Sequence, residues 1–288
     1  MKDTQLERSP EVMGRDTFAS LMSLSRKHTW LIPRSKELFD ILELCETDYE
    51  KDLIVDLLGR FHFCSASRHL ENLSRISDQI VKQWSCTPLN SHIVALEDGE
   101  LADSSSMIVQ QLKQPLALLA DWKTHNFLNK LGAVVARANT GDNIVIVDDF
   151  AGSGTSIGGK VTWLRAELAA LGKSATVRVA VTSAMHHSKL AIEPLVDEYF
   201  SINWLPKGIS EHFTGGELAS ATAAMERLEA ALGPKIGRKK LASYNFGYKR
   251  SESLYYLEGS NPPNNNFPIF WWPLLKPKKP RNPLLRRV

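Results

Sequence analysis

Three cysteines are all this 288-residue sequence has: Cys45, Cys64 and Cys86, odd in number, far apart and without metal-type spacing. That excludes a disulfide framework and argues against a zinc site, and it fits a reducing, cytoplasmic setting. Nowhere do about eighteen apolar residues run uninterrupted, and the opening MKDTQLERSPEVMGRD has no apolar secretory core. Neither a membrane span nor an export signal is therefore expected. An excess of one charge is missing too: 35 Lys and Arg against 32 Asp and Glu leave +3, too little for composition alone to argue a nucleic-acid partner. The glycine-rich stretch has no Gly-Lys-Ser/Thr ending, because Lys160 follows Gly158-Gly159, and this excludes a Walker-type P-loop. With 43% hydrophobic and 23% charged residues most of the chain should fold, as one large domain or as a core with a helical appendage.

What is present is a strand running into an acidic edge. Asn143-Ile144-Val145-Ile146-Val147 reads as a central strand of a parallel sheet, apolar throughout because both faces are buried. Asp148 and Asp149 follow, then Phe150 and the small residues Ala151-Gly152-Ser153-Gly154-Thr155-Ser156 lead into a helix. Ligands of open α/β sheets bind beyond the carboxyl ends of strands, which places the two carboxylates at the lip of a crevice. Gly152 and Gly154 allow a turn that points successive N–H groups at one anion, and Ser153, Thr155 and Ser156 add hydroxyl donors. Carboxylates ahead of an anion loop suit a sugar phosphate.

These residues resemble the phosphoribosyl pyrophosphate (PRPP) signature of type I phosphoribosyltransferases, in which an apolar strand, two acidic residues, three variable positions, Ser or Thr, Gly, one residue and Thr or Ser follow in order. Asp148, Asp149, Ser153, Gly154 and Ser156 fill those slots. The resemblance implies that Asp148 and Asp149 act as the catalytic pair holding ribose hydroxyls, and that residues Gly152 to Ser156 cradle the 5′-phosphate. It implies Mg²⁺ dependence, with the ribose hydroxyls held directly or through metal and water. A loop after the first core strand would hold pyrophosphate. Asp103, Ser104 and Ser105 occupy that place, although Asp103 could equally cap the helix Met107–Leu112.

The remaining chain reads as strands alternating with helices. Segments from Thr17 to about Leu58, and from Ser67 to Trp84, are amphipathic helices. Ile93–Leu96, Thr176–Thr182 and Glu198–Trp204 are apolar strands, with helices over Val161–Leu171 and Glu217–Leu232. The fold class is α/β: a phosphoribosyltransferase-like central parallel sheet flanked by helices, with an N-terminal helical extension. His186 and His187 stand at a strand's carboxyl end, either as a surface pair or at the base or pyrophosphate. Lys123, His125 and Lys130 are weak candidates for a flexible catalytic loop, and Tyr248, Phe270 and Trp271 either stack on a base or pack.

Two later motifs narrow the resemblance. Gly247-Tyr248-x-x-Ser251-Glu252-x-Leu254 and Pro263-Asn264-Asn265-x-x-Pro268-x-Phe270-Trp271-Trp272, with the PRPP-type signature, resemble a branch of phosphoribosyltransferase-like proteins of bacterial conflict and antiphage loci, including some retrons, over about residues 50 to 272. The resemblance implies an effector held in check by a reverse transcriptase and its RNA–DNA product. The alternative is a catalytically inactive nucleotide-binding or nucleoprotein-binding subunit. Six basic residues between Lys276 and Arg287 form a tail read as solvated or phosphate-binding. The expected layout is a helical extension over 1–85, the α/β domain with its aromatic motif over 86–272, and the basic tail over 273–288, with oligomerisation left open.

Overall fold

The computed structural model describes residues 15–96 and 104–287. The polar leader, the acidic loop 97–100 and Asp103 lie outside these residues. The chain begins with helices α1 (Arg15–Lys27), α2 (Ser35–Leu42) and α3 (Asp48–Gly59), then strand β1 (His62–Cys64) and α4 (Ala66–Asp78). The α/β layers follow as β2 (Ser91–Ala95), α5 (Ser104–Ala117), β3 (Phe127–Leu128), α6 (Leu131–Arg137), β4 (Asn143–Ala151), α7 (Thr155–Ala170), β5 (Thr176–Met185), α8 (Lys189–Ile192) and β6 (Glu198–Leu205). Helix α9 (Gly215–Ala230), the hairpin β7 (Lys235–Ile236) and β8 (Lys239–Lys240), strand β9 (Tyr255–Leu257), the short α10 (Pro268–Trp271) and the antiparallel pair β10 (Leu274–Leu275) and β11 (Lys279–Pro280) follow.

Strands β2 to β6 form one parallel sheet in the order β3-β2-β4-β5-β6. Its alternation is that of a sheet buried on both sides. Ile93, Ala95, Val145 and Val147 meet α4 and α5, whereas Val94, Ile144 and Ile146 meet α6 and α7. All seven are at most 1% exposed, and each Val and Ile among them contributes roughly 1.5–3 kcal/mol of apolar burial.

The order also fixes where a ligand can bind. From β2 the chain moves outward to β3, then returns past β2 to β4 and on to β5 and β6, so β2 and β4 flank the topological switch point. Register sharpens this: β4 pairs with β2 only as far as Ala95–Val147, but with β5 as far as Ala151–Ala184. Residues 148–151 of β4 thus remain strand on one edge while the other edge faces the space beyond β2. The strand is longer than the sequence reading, which ended it at the carboxylates; pairing with β5 carries it through them.

A second core lies beside the sheet. Helices α1, α2, α3 and α9 share one apolar cluster with Phe246, Phe267, Phe270, Trp271, Trp272, Leu284 and Leu285. Within it α3 starts with a capping box in which Thr47 accepts from Glu50 N–H, and Glu50 also receives Arg227 of α9 at 2.6 Å. The tail is only partly solvated. Lys276, Lys278 and Lys279 are exposed, but Leu284 and Leu285 are buried, and Arg281 donates through Nε to Trp272 O at 2.9 Å. Backbone carbonyls left open at the end of α10 attract this arginine. The parallel pair β1 and β9 joins the N-terminal helices to the later chain.

Candidate ligand-binding cleft

The acidic pair sits on the open edge of β4, and alternation along a strand sends the two carboxylates different ways. Asp148 Oδ1 accepts from Ser104 Oγ at 3.1 Å and from Asp149 N–H at 2.8 Å, which ties the start of α5 to the end of β4. Asp149 is 6% exposed, its carbonyl held by Thr182 Oγ1 at 2.6 Å. Burial pushes the Cys64 thiol up to about 11 and the Tyr255 hydroxyl well above its ordinary value, and the Asp149 charge adds to both shifts. Phe150 stacks on Tyr255 at 4.4 Å and 8°, and His62 stacks behind it at 5.9 Å.

Past Ala151 the turn is built from small residues for identifiable reasons. Gly154 has φ +76°, and a Cβ there would lie 2.9 Å from Ser188 O. Ser153 Oγ donates to Thr155 Oγ1 at 3.1 Å as α7 begins. The amides of that first turn have no carbonyl four residues back inside the helix, and together with the helix dipole they favour an anion.

Above this turn lies the second wall. A lobe of about 250 Å³ is lined by Asp148, Phe150, Gly152, Ser153, Gly154 and Ser156 from below and by Tyr248, Asn264 and Asn265 from above. A neighbouring lobe of about 470 Å³ is bounded by Ser104, Asp148, Asp149, Phe150, Asn264 and Arg287, among others. Shared walls at Asp148, Phe150, Asn264 and Asn265 make one cleft of two chambers. Thr155 and Ser156 also border a shallow depression beside Trp163 on α7.

The upper wall explains the two later motifs. Phe246, Lys249, Arg250 and Glu252 all carry positive φ between 49° and 59°, a costly conformation for side chains with a Cβ. Buried acceptors enforce it. Glu252 Oε2 accepts Ile209 N–H at 2.9 Å and Ser210 N–H at 2.7 Å, and both Glu229 oxygens accept Phe246 N–H at 3.1 Å. Asn265 Nδ2 donates to Ser251 Oγ at 2.8 Å, and Asn266 brackets Tyr255 through its N–H and C=O. Gly247 is required because a Cβ there would sit 1.9 Å from Asn265 O.

Glu229 has a measurable consequence. Burial pushes its carboxyl up to about 8, against the pull of the Phe246 N–H. A carboxyl raised in the folded state from its ordinary 4.5 contributes stability that is complete below pH 4.5 and lost as pH rises through about 8. Tm should therefore fall between about pH 4.5 and 8 and level off above that. Glu229→Gln, which cannot ionise, should flatten that slope; an unchanged slope in the variant would assign it to another group.

The profile of the PRTase-CE family, a phosphoribosyltransferase-like family, matches residues 44–287. The chain belongs to the PRTase-CE family. Among curated proteins nothing matches it. This PRTase-CE protein is similar, over about half its length, to several solved structures. A hypothetical protein from Neisseria gonorrhoeae with bound ppGpp is 14% identical, with a TM-score of 0.34, 51% of this chain and 85% of that one covered. Orotate phosphoribosyltransferase from Aeropyrum pernix is 16% identical, with a TM-score of 0.30 and 48% and 71% covered. Hypoxanthine-guanine phosphoribosyltransferase from Schistosoma mansoni, in complex with IMP, is 15% identical, with a TM-score of 0.32 and 49% and 66% covered.

Of the residues singled out from the sequence, the structure brings Asp148, Asp149, Ser104, Gly152, Ser153, Gly154 and Ser156 to one cleft. Ser105 is fully buried rather than on the cleft wall. His186 lies near Glu211 at 3.8 Å, and His187 is half-buried with both ring nitrogens enclosed, so neither histidine lines either chamber. Lys123 pairs with Asp121, and Phe270 and Trp271 are core. Sequence reasoning missed Asn264, Asn265 and Arg287 as cleft residues. The paired Asn signal was visible, but nothing local says which surface they cover.

The contact between the turn and the upper wall supplies a test. A Cβ on Gly152 would lie 2.2 Å from Asn265 Cγ, and that side chain is held by its bonds to Tyr248 O and Ser251 Oγ. Gly152→Ala should cost about 1–3 kcal/mol of stability through overpacking. Adding Asn265→Ala should recover part of that loss; no recovery would place the strain elsewhere.

Proposed function

We propose that this protein binds PRPP, or a related sugar phosphate or nucleotide, and acts as a phosphoribosyltransferase-like effector in the bacterial cytoplasm. The observation that supports the reading is the carboxylate pair on the unpaired edge of β4, in one cleft with a small-residue turn at a helix N-terminus. In this reading residues 152–156 take the 5′-phosphate on amide and hydroxyl donors. Asp148 and Asp149 hold the ribose hydroxyls and face the positive charge that develops at the anomeric carbon as the diphosphate departs. Phe150, fixed against Tyr255, keeps an apolar wall beside the reacting centre.

Magnesium fits this cleft as a shared ion. Among the described residues no three His, Cys, Asp or Glu side chains converge to cage a metal. Asp148 and Asp149 nonetheless offer hard oxygen donors on the wall, and Mg²⁺ is commonly held by one or two carboxylates together with substrate phosphates and water. Bound there, it would offset diphosphate charge.

The finer reading is an effector of a retron-type antiphage system, with a reverse transcriptase and its RNA–DNA product as partner; it is supported by the resemblance carried by residues 247–254 and 263–272. Among the described residues no helix is long and apolar enough to cross a membrane. A binding protein without turnover is the second reading. It is favoured by one feature: among described residues lining the two chambers, Arg287 is the one cation, and Lys123, His125 and Lys130 are elsewhere. Titration calorimetry with PRPP and Mg²⁺ tests binding, and pyrophosphate release with candidate acceptors separates enzyme from binder. Absence of both binding and release would end the proposal.

A further inference from the structure

The cleft contains a cation that the family-type signature does not account for, and it comes from the far end of the chain. Arg287 lines the larger chamber together with Asp148 and Asp149. Its delivery is structural: Leu284 and Leu285 are 2% and 1% exposed in the second core, and Leu285 N–H donates to Phe270 O at 2.9 Å. The guanidinium carbon stands 5.7 Å over the Trp271 ring, and Nη1 donates to Pro262 O. Residues 284–287 are thus fastened down, and Arg287 borders the cleft.

Among the described residues the charge of Arg287 has no anionic partner. Nε is enclosed and has no hydrogen-bond partner, and among the described residues no carboxylate pairs with this arginine, whereas neighbouring Arg286 reaches Glu37 at 3.8 Å. Burial lowers its pKa from the ordinary arginine value, the direction that marks a desolvated cation. A half-buried guanidinium with unused donors is satisfied best by an oxyanion, to which its planar fork can bind with two parallel bonds. The chamber it lines adjoins the turn at Gly152–Ser156, so a ligand seated by its phosphate in the smaller chamber would extend past Asp148 toward Arg287.

We propose that Arg287 is a ligand-binding residue that grips the second anionic group of a doubly anionic sugar phosphate, the diphosphate on the anomeric carbon in the PRPP reading. This inference rests on the proposed function for the identity of the ligand. The same argument makes Arg287 a selectivity device. A ligand with only the 5′-phosphate leaves the guanidinium unsatisfied, while one with both groups neutralises it.

The experiment uses the full chain, with calorimetric titration of PRPP, inorganic pyrophosphate and ribose 5-phosphate, each with Mg²⁺. The variants are Arg287→Ala and Arg287→Lys, the second retaining the charge and stem if the first unfolds. Expected for Arg287→Ala is a 10- to 100-fold loss of PRPP and pyrophosphate affinity, about 1.4–2.8 kcal/mol, with ribose 5-phosphate changed by less than about twofold. Arg287→Lys should show the same selectivity with a smaller loss, because a point charge cannot form the paired bonds. If wild type binds PRPP and the variants bind it equally well, or if ribose 5-phosphate weakens in parallel, this inference fails and the proposed function stands. If wild type binds none of the three ligands, both fall.

Discussion

Asp148→Asn with Asp149→Asn is expected to weaken PRPP binding at least tenfold and to lower any pyrophosphate release by about 10²–10³. Asparagine keeps the shape and one acceptor oxygen, so the bonds from Ser104 Oγ and Asp149 N–H can persist while both negative charges vanish. The loss is therefore electrostatic, at the positions that would face the anomeric carbon and hold hydroxyls. Stability should move the other way. Asp149 is 6% exposed, and no described cation pairs with it, so neutralising it removes a desolvation cost. Tm should hold or rise while function collapses, a combination expected of a charge kept for binding. Calorimetry, a pyrophosphate assay and a thermal melt on the same preparation check all three. Unaltered binding and release, or a large fall in Tm, would remove the pair from the proposed chemistry.

Trp272→Ala is expected to be the most damaging single substitution for the fold. Trp272 is fully buried in the core shared by the N-terminal helices, α9 and the C-terminal segment, and its Nε1 donates to Gly233 O at 2.9 Å. Truncation leaves a large cavity and an unpaired carbonyl, costing about 3–5 kcal/mol. For a chain of this size Tm should drop by roughly 10 °C. Trp163, 39% exposed on α7, is the matched control, with an expected effect on stability within about 1 kcal/mol for Trp163→Ala. Equal losses for the two variants would contradict a structural role for the Trp pair. Ligand affinity should also decline in Trp272→Ala, because Trp271 and the segment carrying Arg287 rest on the same core.

Much of the α/β layer was legible in the sequence because its signals are local. An unbroken apolar run such as Ile144–Val147 can be buried on both faces only inside a sheet, and four strand-like segments alternating with helices imply parallel strands. The N-terminal helices were legible as helices, but the surface they cover was not. Their amphipathic stripes say that one face is buried, and the partners, α9 with Phe267, Phe270 and Trp272, lie some two hundred residues later. The basic tail misled for a related reason. Charge composition reads a solvated end, whereas Leu284 and Leu285 anchor it and turn Arg287 inward. His186 and His187 lie at the end of β5 as read, but they belong to the turn into α8 and line neither chamber of the cleft.

For the site itself, the sequence alone determined the order strand, acidic pair, small-residue turn and helix, because each of those choices is dictated within a few residues by burial, backbone freedom and capping. Tertiary structure decided what that order faces. The early end of β2 at Ala95 frees one edge of β4 at the carboxylates. The fold then sets Ser104, Asn264, Asn265 and Arg287 around them, a convergence produced by packing between distant segments and therefore absent from any spacing in the chain.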